Sequence, residues 1–456
     1  MSLATDARGN RSDRPTSHPT SHPTGGSGGR SRGRGDDAGP PLAGSLVPAL
    51  ILTLAAGGLV LLTRVVIVPW IESVNAWVIP QDVWTPLPAA RSIANGDVFH
   101  MYGALVGRTG YPYTPALPIL LAPFSAIGDH FHLLGDYFFT HRHPMMFLVL
   151  GPAEAAVGMF PILFVAGRSV NKRGKQMWCV QGLVFIVAAW APVAWFHPED
   201  TIACALLIAA CLCSERDDWR IVGALLGGAL LFKQWALWPA IPVLLAAPRG
   251  KRSFTAFYAL ALPTLVLVPF LLASSGTWSS LIGTRASLDL GQQQLWATVA
   301  FGHRQLANPT LLRIIWGVAA VFVARRVGRR VGRRPTPDML LAAVGTVMLL
   351  RLLFEPVLFG YYLVPAAVIA IIWCARNGKP FALRALTATM LCAFCLPHTL
   401  PQPVFFAMLA VGLAYVCGPM IEPIVSRSVD PSFPPTPTPT TTTPTTATTP
   451  APGASV

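Results

Sequence analysis

Charge is scarce in this sequence. Only 12% of its 456 residues are Asp, Glu, Lys or Arg, about half the share of a soluble globular protein, which excludes an ordinary cytosolic enzyme. Acidic residues are the scarcer sign, 20 against 34 Lys and Arg. The resulting surplus of +14 is gathered in a few places: Arg30, Arg32 and Arg34; Lys172, Arg173 and Lys175; Arg249, Lys251 and Arg252; and residues 325–334. Each cluster lies beside an apolar block, where cytoplasmic loops collect Lys and Arg, so the charge does not mark a nucleic-acid surface. Glycine (39) and proline (43) are too few and too unevenly spread for a fibrous protein. The eight cysteines lie almost entirely in apolar segments. Cys211 and Cys213 are close, as are Cys392 and Cys395, but no histidine or second pair completes a zinc pattern. They read as small polarizable packing residues.

What the chain has in abundance is apolar surface. Hydrophobic residues make up 53% of it, arranged between residues 46 and 418 in blocks of roughly 15 to 25, the length that crosses a bilayer. The expected fold is an all-α polytopic membrane protein with about twelve crossings. Residues 1–44 (Ser, Gly, Arg, Pro and Thr) and 426–456 (Pro/Thr repeats) lack the apolar groups needed to order, and both are expected to be disordered cytoplasmic tails. The transmembrane domain is then 45–425.

Loop charge sets the topology. Crossings are expected at 46–69, 145–167, 177–196 and 201–214. Residues 221–248 are too long for one short span and contain Lys233, Gln234, Pro239 and Pro242. Two short helices that meet near Lys233 and Gln234 return Arg249–Arg252 to the cytoplasmic side, with broken backbone tolerated where it lines a polar cavity. Further crossings follow at 254–273, 308–324, 339–353, 358–374, 381–397 and 403–417. Residues 113–128 are apolar but short and read as a re-entrant or interfacial element.

In this topology the residues able to do chemistry collect on the outer face: Asp82, Arg91, His197, Glu199, Asp200, Lys233, Arg285, Asp289, His303, Arg304, Arg351, Glu355, Tyr361, Tyr362 and His398. Ionisable groups at membrane depth are costly and usually functional. Asp82, flanked by Trp77 and Trp84, is a partly desolvated carboxylate suited to general-base work; Asp97 lies in a turn-like Asn-Gly-Asp and needs no catalytic explanation. Tyr111 and Tyr113, in Gly110-Tyr-Pro-Tyr-Thr-Pro115, make an aromatic element suited to a sugar face or a lipid headgroup. His197-Pro-Glu-Asp200 puts three ionisable groups in one tight turn, either for a divalent metal, for sugar hydroxyls, or as an acid-capped helix start. Lys233 follows a fully apolar run and suits a phosphate. His303 and Arg304 are natural donors to phosphate oxygens. Arg351 and Glu355, four apart, can pair on one helix face.

Taken together, these residues resemble the multi-spanning glycosyltransferases of the GT-C class, most of all the family 87 polyprenyl-phosphate-mannose-dependent mannosyltransferases. The resemblance rests on an early acid, Asp82, after the first span; on 89–96 leading to Tyr102 and Tyr111-Pro-Tyr-Thr-Pro115; on His197-Pro-Glu-Asp200 with the Gly-rich run ending in Phe232-Lys-Gln-Trp235; and on Glu355 with Tyr361-Tyr-Leu-Val-Pro365. It spans residues 46–418. Pro86 and Pro88 interrupt the family's usual register after the acid. The resemblance implies an inverting transfer of a hexose, mannose first, from a polyprenyl-phosphate sugar to a cell-envelope glycolipid or glycan at the outer face, with Asp82 as base. Lys233, His303, Arg304 and Arg351 would hold the donor phosphate. Tyr111, Tyr113, His197, Glu199, Asp200, Gln234, Glu355 and Tyr361 would form the sugar and acceptor face. The expected partners are the lipid-linked donor, the acceptor and membrane lipids, without nucleic acid and without a required cofactor, a divalent metal remaining open. The alternatives are a polytopic transporter or lipid flippase, although no internal repeat is visible, or an inactive relative of the same class.

Overall fold

The apolar blocks become helices, and no strand occurs among the described residues. A computed structural model describes residues 42–63, 86–99, 101–102, 114–132, 146–170, 174–283, 309–330, 336–355, 358–395 and 402–426. These contain fifteen α-helices: α1 (Leu42–Leu61), α2 (Pro86–Ala94), α3 (Ala116–His130), α4 (Met146–Ser169), α5 (Lys175–Ala188), α6 (Pro198–Cys213), α7 (Trp219–Phe232), α8 (Leu237–Ala246), α9 (Arg252–Ala273), α10 (Ser275–Gly283), α11 (Pro309–Arg330), α12 (Pro337–Phe354), α13 (Leu363–Arg376), α14 (Ala382–Phe394) and α15 (Gln402–Val425). Five segments are long and apolar enough to cross a membrane: Gly44–Leu61, Lys175–Ala194, Arg249–Ala273, Pro337–Phe354 and Val404–Val425. Asp82, Tyr111, Tyr113, Arg285, Asp289, His303, Arg304 and His398 lie outside the described residues.

Position in the bundle follows from each helix's pattern. α13 is buried from Leu363 to Ala375, as expected of a helix that is apolar all round. α4 packs on α1 and α6, α12 on α13 and α11, and α7 on α6 and α9. α9 is the opposite case: Phe254, Phe257, Leu260, Leu265 and Leu272 are all exposed. A continuous apolar face of this kind belongs against another apolar phase rather than water.

The segment after Asp218 breaks where its lone lysine predicts. α7 ends at Phe232, Lys233 is extended (φ −146°, ψ 123°), a 3₁₀ turn covers Gln234–Ala236, and α8 starts at Leu237. The chain then reverses. Lys251 Nζ lies 2.6 Å from Asp217 Oδ2, at the opposite end of α7 from Lys233. α9 therefore runs parallel to α7, and two glycines permit the contact. A Cβ at Gly223 would meet the Thr255 carbonyl oxygen at 2.5 Å, and one at Gly227 that of Ala259 at 2.9 Å. The matched register, 223 with 255 and 227 with 259, fixes the shared direction.

The two ends of the bundle differ. At one end Arg376 clamps three elements: Nε bonds Asp338 Oδ1 (2.6 Å), an Nη donates to the Ser169 carbonyl (2.7 Å), and Glu215 lies 4.0 Å away. Lys251 with Asp217, and Arg326 donating to the carbonyls of Ile424 and Val425, belong to the same end. The opposite ends of α6, α7, α12 and α13 carry the site described next.

A direct check of the reversal is cysteine cross-linking. The Asp217→Cys/Lys251→Cys pair should be joined by a short bifunctional thiol-reactive linker, because the Lys251 ammonium reaches the Asp217 carboxylate. One continuous helix through residues 219–248 would hold these positions about 40 Å apart and give no cross-link.

Candidate functional site

The site begins with a strained turn. Pro192, which has no N–H, lies in a π-helical turn, Trp190–Ala194, that ends the α5 path; proline breaks the regular ladder and favours such widening. Phe196 then takes a left-handed conformation (φ +55°) although it is bulky and fully buried. For such a residue this is an outlier of the kind that clusters at functional sites. Its consequence is local: the His197 N–H reaches back to the Ala191 carbonyl (2.9 Å), and α6 starts at Pro198 with Glu199 and Asp200 in its first turn. Gly158 of α4 makes room for this turn, since a Cβ there would lie 2.7 Å from Pro192 and 2.9 Å from Pro198.

The side chains of this turn meet those of α7 and α12 in one buried network. Lys233 Nζ lies 2.6 Å from Glu199 Oε1 and 3.1 Å from Asp200 Oδ2. His197 Nδ1 is 2.9 Å from the same Glu199 oxygen; a carboxylate only accepts, so the ring carries its proton on Nδ1. Trp235 Nε1 donates to Asp200 Oδ1 (2.6 Å). Arg351 bonds Glu355 (2.8 Å) and lies 3.7 Å from Asp200 Oδ1. Its guanidinium sits 4.2 Å over the Tyr362 ring and 5.1 Å from that of Trp235. Tyr361 stacks on His197 with ring centroids 4.0 Å apart. His197, Glu199, Asp200, Lys233 and Arg351 are each at most 5% exposed. Buried charges persist only when paired and hydrogen-bonded, and here each acid has a cation and each cation an acid.

Helix ends reinforce the arrangement. Glu199 and Asp200 occupy the positive end of α6, while Lys233 and Arg351 lie at the negative ends of α7 and α12, each sign favoured by the backbone dipole. Thr114, between Tyr113 and Pro115, donates to the Leu231 carbonyl and to that of Phe232 (3.3 Å). This contact attaches Thr114, just ahead of α3, to the break that carries Lys233.

Beside the network lies a cavity of about 260 Å³, lined by Lys233, Gln234, Arg351, Glu355 and Arg313 with an aromatic wall that includes Trp235, Trp238, Trp316, Tyr361 and Tyr362. Lys233, Gln234, Arg351, Glu355 and Tyr361, expected from the sequence, therefore share one space. His197, Glu199 and Asp200 stand behind it, where they hold Lys233 and Arg351 rather than line the cavity. His197, Glu199 and Asp200 also offer ligand atoms within 4.8 Å of one another, a donor set for a divalent cation. The Lys233 ammonium, however, already bridges the two carboxylates where such an ion would sit. Arg91 is accounted for elsewhere, in a two-pronged pair with Asp129 (2.9 and 2.8 Å) that joins α2 to α3.

Three residues escaped the sequence reading. Trp235, two residues after Lys233, shows its role only once Asp200 is placed beside it. Arg313 and Glu154 are lone ionisable groups in apolar runs, a signal that was available. Glu154 is 2% exposed, and its Oε2 has no hydrogen-bond partner among the described residues.

Removal of the shared cation should be severe. Lys233→Met leaves Glu199 and Asp200 without their ammonium and should cost about 3–5 kcal/mol of stability. Lys233→Met combined with Glu199→Gln should recover part of that loss; thermal unfolding in detergent across the double-mutant cycle measures it. Gly158→Ala should lower stability by about 1–3 kcal/mol as the new methyl displaces the turn. Comparison of the chain with family models, with curated proteins and with solved structures finds no match.

Proposed function

We propose that this protein is a multi-pass membrane glycosyltransferase that moves a hexose, mannose first, from a polyprenyl-phosphate donor to a glycolipid or glycan acceptor. One observation carries the reading. A cavity with three cations, one carboxylate and five large aromatic rings joins the two chemistries of a sugar phosphate: fixed positive charge for the phosphate and flat apolar rings for the sugar's C–H faces.

The reaction this supports is an inverting displacement. The acceptor hydroxyl oxygen attacks the anomeric carbon, a new glycosidic C–O bond forms, and the bond from that carbon to the phosphate oxygen breaks. The phosphate leaves with the electron pair, and Lys233 and Arg351 stabilise the charge. Their carboxylate partners keep both side chains fixed before the reaction begins, the preorganisation on which such stabilisation depends. The hydroxyl proton goes to Asp82, assigned as base through the family resemblance. Gln234, Tyr361, Tyr111 and Tyr113 would contact the sugar or acceptor, and His303 and Arg304 would add donors to the phosphate.

Sidedness follows from charge. Lys251, Arg326 and Arg376 gather at the end remote from the cavity. The preference of basic residues for the cytoplasmic side supports a reading in which the cavity faces outward and both termini lie inside; the proposal of about twelve crossings is that of the hydropathy pattern.

Nanodiscs holding the full chain, given radiolabelled polyprenyl-phosphate mannose and an envelope glycolipid fraction, should transfer label into product. A labelled nucleotide sugar should give none. Asp82→Asn should lower the rate about 10²–10⁴-fold with the unfolding temperature unchanged. Full activity in that variant, or label taken only from the nucleotide sugar, would contradict the reading.

A further inference from the structure

Glu154 is a buried acid that the proposed reaction does not use. It lies in the interior of α4, two residues after Pro152. It is 2% exposed, and its Oε2 has no hydrogen-bond partner among the described residues. A carboxyl group at such a depth is costly, and packing alone gives no reason for it. Gly158, one turn further along α4, brings the helix against the turn before α6, since a Cβ there would lie 2.9 Å from Pro198. Pro198 stands between His197 and Glu199, and Glu154 is within electrostatic reach of both.

The other elements packed on α4 give Glu154 no partner. α1 has no ionisable side chain, and neither has the turn Trp190–Ala194. α5 contributes Cys179 and, at its start beside the far end of α4, Lys175. α3 carries Asp129 and His130 in its last turn, with Asp129 already paired to Arg91. α13 carries Cys374 and Arg376 at the clamp end, where Arg376 bonds the carbonyl of Ser169, 15 residues and about 22 Å along α4 from Glu154. From α6 come Glu199 and Asp200, with Cys204 a turn further on. Glu199, Asp200 and Glu355 already face two cations, Lys233 and Arg351. Another buried carboxylate is tolerated there only with a cation of its own, and the group in reach is His197. The Nδ1 proton of that ring goes to Glu199 (2.9 Å), so the ring becomes a cation by taking a second proton on Nε2.

We propose that Glu154 and His197 hold one exchangeable proton between them, and that through it Glu154 is a positioning residue for Lys233. With the proton on Glu154, the imidazole is neutral and the Glu199 carboxylate is given over to Lys233 (2.6 Å). In the other placement the carboxyl O–H is broken and an N–H formed at Nε2. The imidazolium then competes for the same Glu199 oxygen, and Lys233 is loosened toward the cavity it lines. Rising pH removes the shared proton, leaves the ring neutral and tightens the hold of Glu199 on Lys233. Falling pH charges the ring and loosens that hold. The inference rests on the glycosyltransferase reading for what Lys233 then binds, but not for the proton pair itself.

The test has two arms, both on full-length protein in nanodiscs. Infrared difference spectra are taken from about pH 5 to about pH 8, the range in which histidine titrates. Wild type should show a carboxylic C=O band that changes in the same step as the imidazole ring bands. Glu154→Gln should lack that band and shift the ring step. An unchanged band in Glu154→Gln, or carboxyl and ring bands that change in independent steps, would overturn the inference. The second arm measures transfer from a polyprenyl-phosphate sugar, a phosphodiester whose own charge is constant over this range. The wild-type KM for the donor should rise with pH. Glu154→Gln should raise KM about tenfold at the acid end, the equivalent of one unit of coupling, with kcat unchanged and the pH slope flattened. Glu154→Asp should restore part of the slope. A fall in kcat with the KM slope intact would make Glu154 merely structural and sink the proposal. If the bands change together but no variant moves sugar, the proton pair stands and the transferase reading falls. If sugar moves and Glu154→Gln keeps the wild-type pH dependence, the pair falls and the transferase reading stands.

Discussion

Two carboxylates that enter the bundle together need one cation, and most of the architecture around the cavity serves that pairing. Glu199 and Asp200 occupy the first turn of α6 with almost no contact with solvent. The ammonium of Lys233 meets both, and it can do so because the chain breaks at that residue. The same break sends α8 back toward Asp217 and leaves α9 parallel to α7. Electrostatics and topology are thus satisfied by a single extended residue. Burial of such a group costs several kcal/mol per ion unless the pairing is complete, which explains why His197, Trp235 and Arg351 all converge on the two acids.

The bundle is asymmetric along its length. α6 has 16 residues and so spans about 24 Å, close to the depth of a bilayer's hydrocarbon core. Its N-terminal end belongs to the paired network and its C-terminal end to the Arg376 clamp. The clamp holds one end with salt bridges, while the other end holds a space with a cationic floor and aromatic walls. A one-sided pocket of this kind suits chemistry on a ligand that arrives from one face or from the side.

Parts of this were legible in the sequence because they depend on near neighbours. The helix break follows from Lys233 and Gln234 within an apolar run, and the Arg351–Glu355 pair from their spacing of four. The turn at His197-Pro-Glu-Asp200 was visible as a dense polar cluster; its proline fixed the helix start and its acids the first turn. Long-range partners were not legible. Glu199 and Lys233 are 34 residues apart and Asp200 and Trp235 are 35 apart, so only the folded chain assigns them. This also moved His197, Glu199 and Asp200 from the cavity surface, where the sequence had them, to a layer behind it. The left-handed Phe196 had no sequence signal, since nothing in an aromatic residue's chemistry favours that conformation. Arg313 had one, as a lone ionisable group in an apolar run, and only the folded chain shows that it lines the cavity.

The central claim is that the cavity receives a lipid-borne phosphate, and the most direct measurement is a cryo-electron microscopy map of the full chain in nanodiscs with polyprenyl phosphate. The account predicts headgroup density within hydrogen-bond distance of Lys233 and Arg351. Headgroup density at the Arg376 end, or a cavity filled by its own side chains in the presence of saturating lipid, would contradict it.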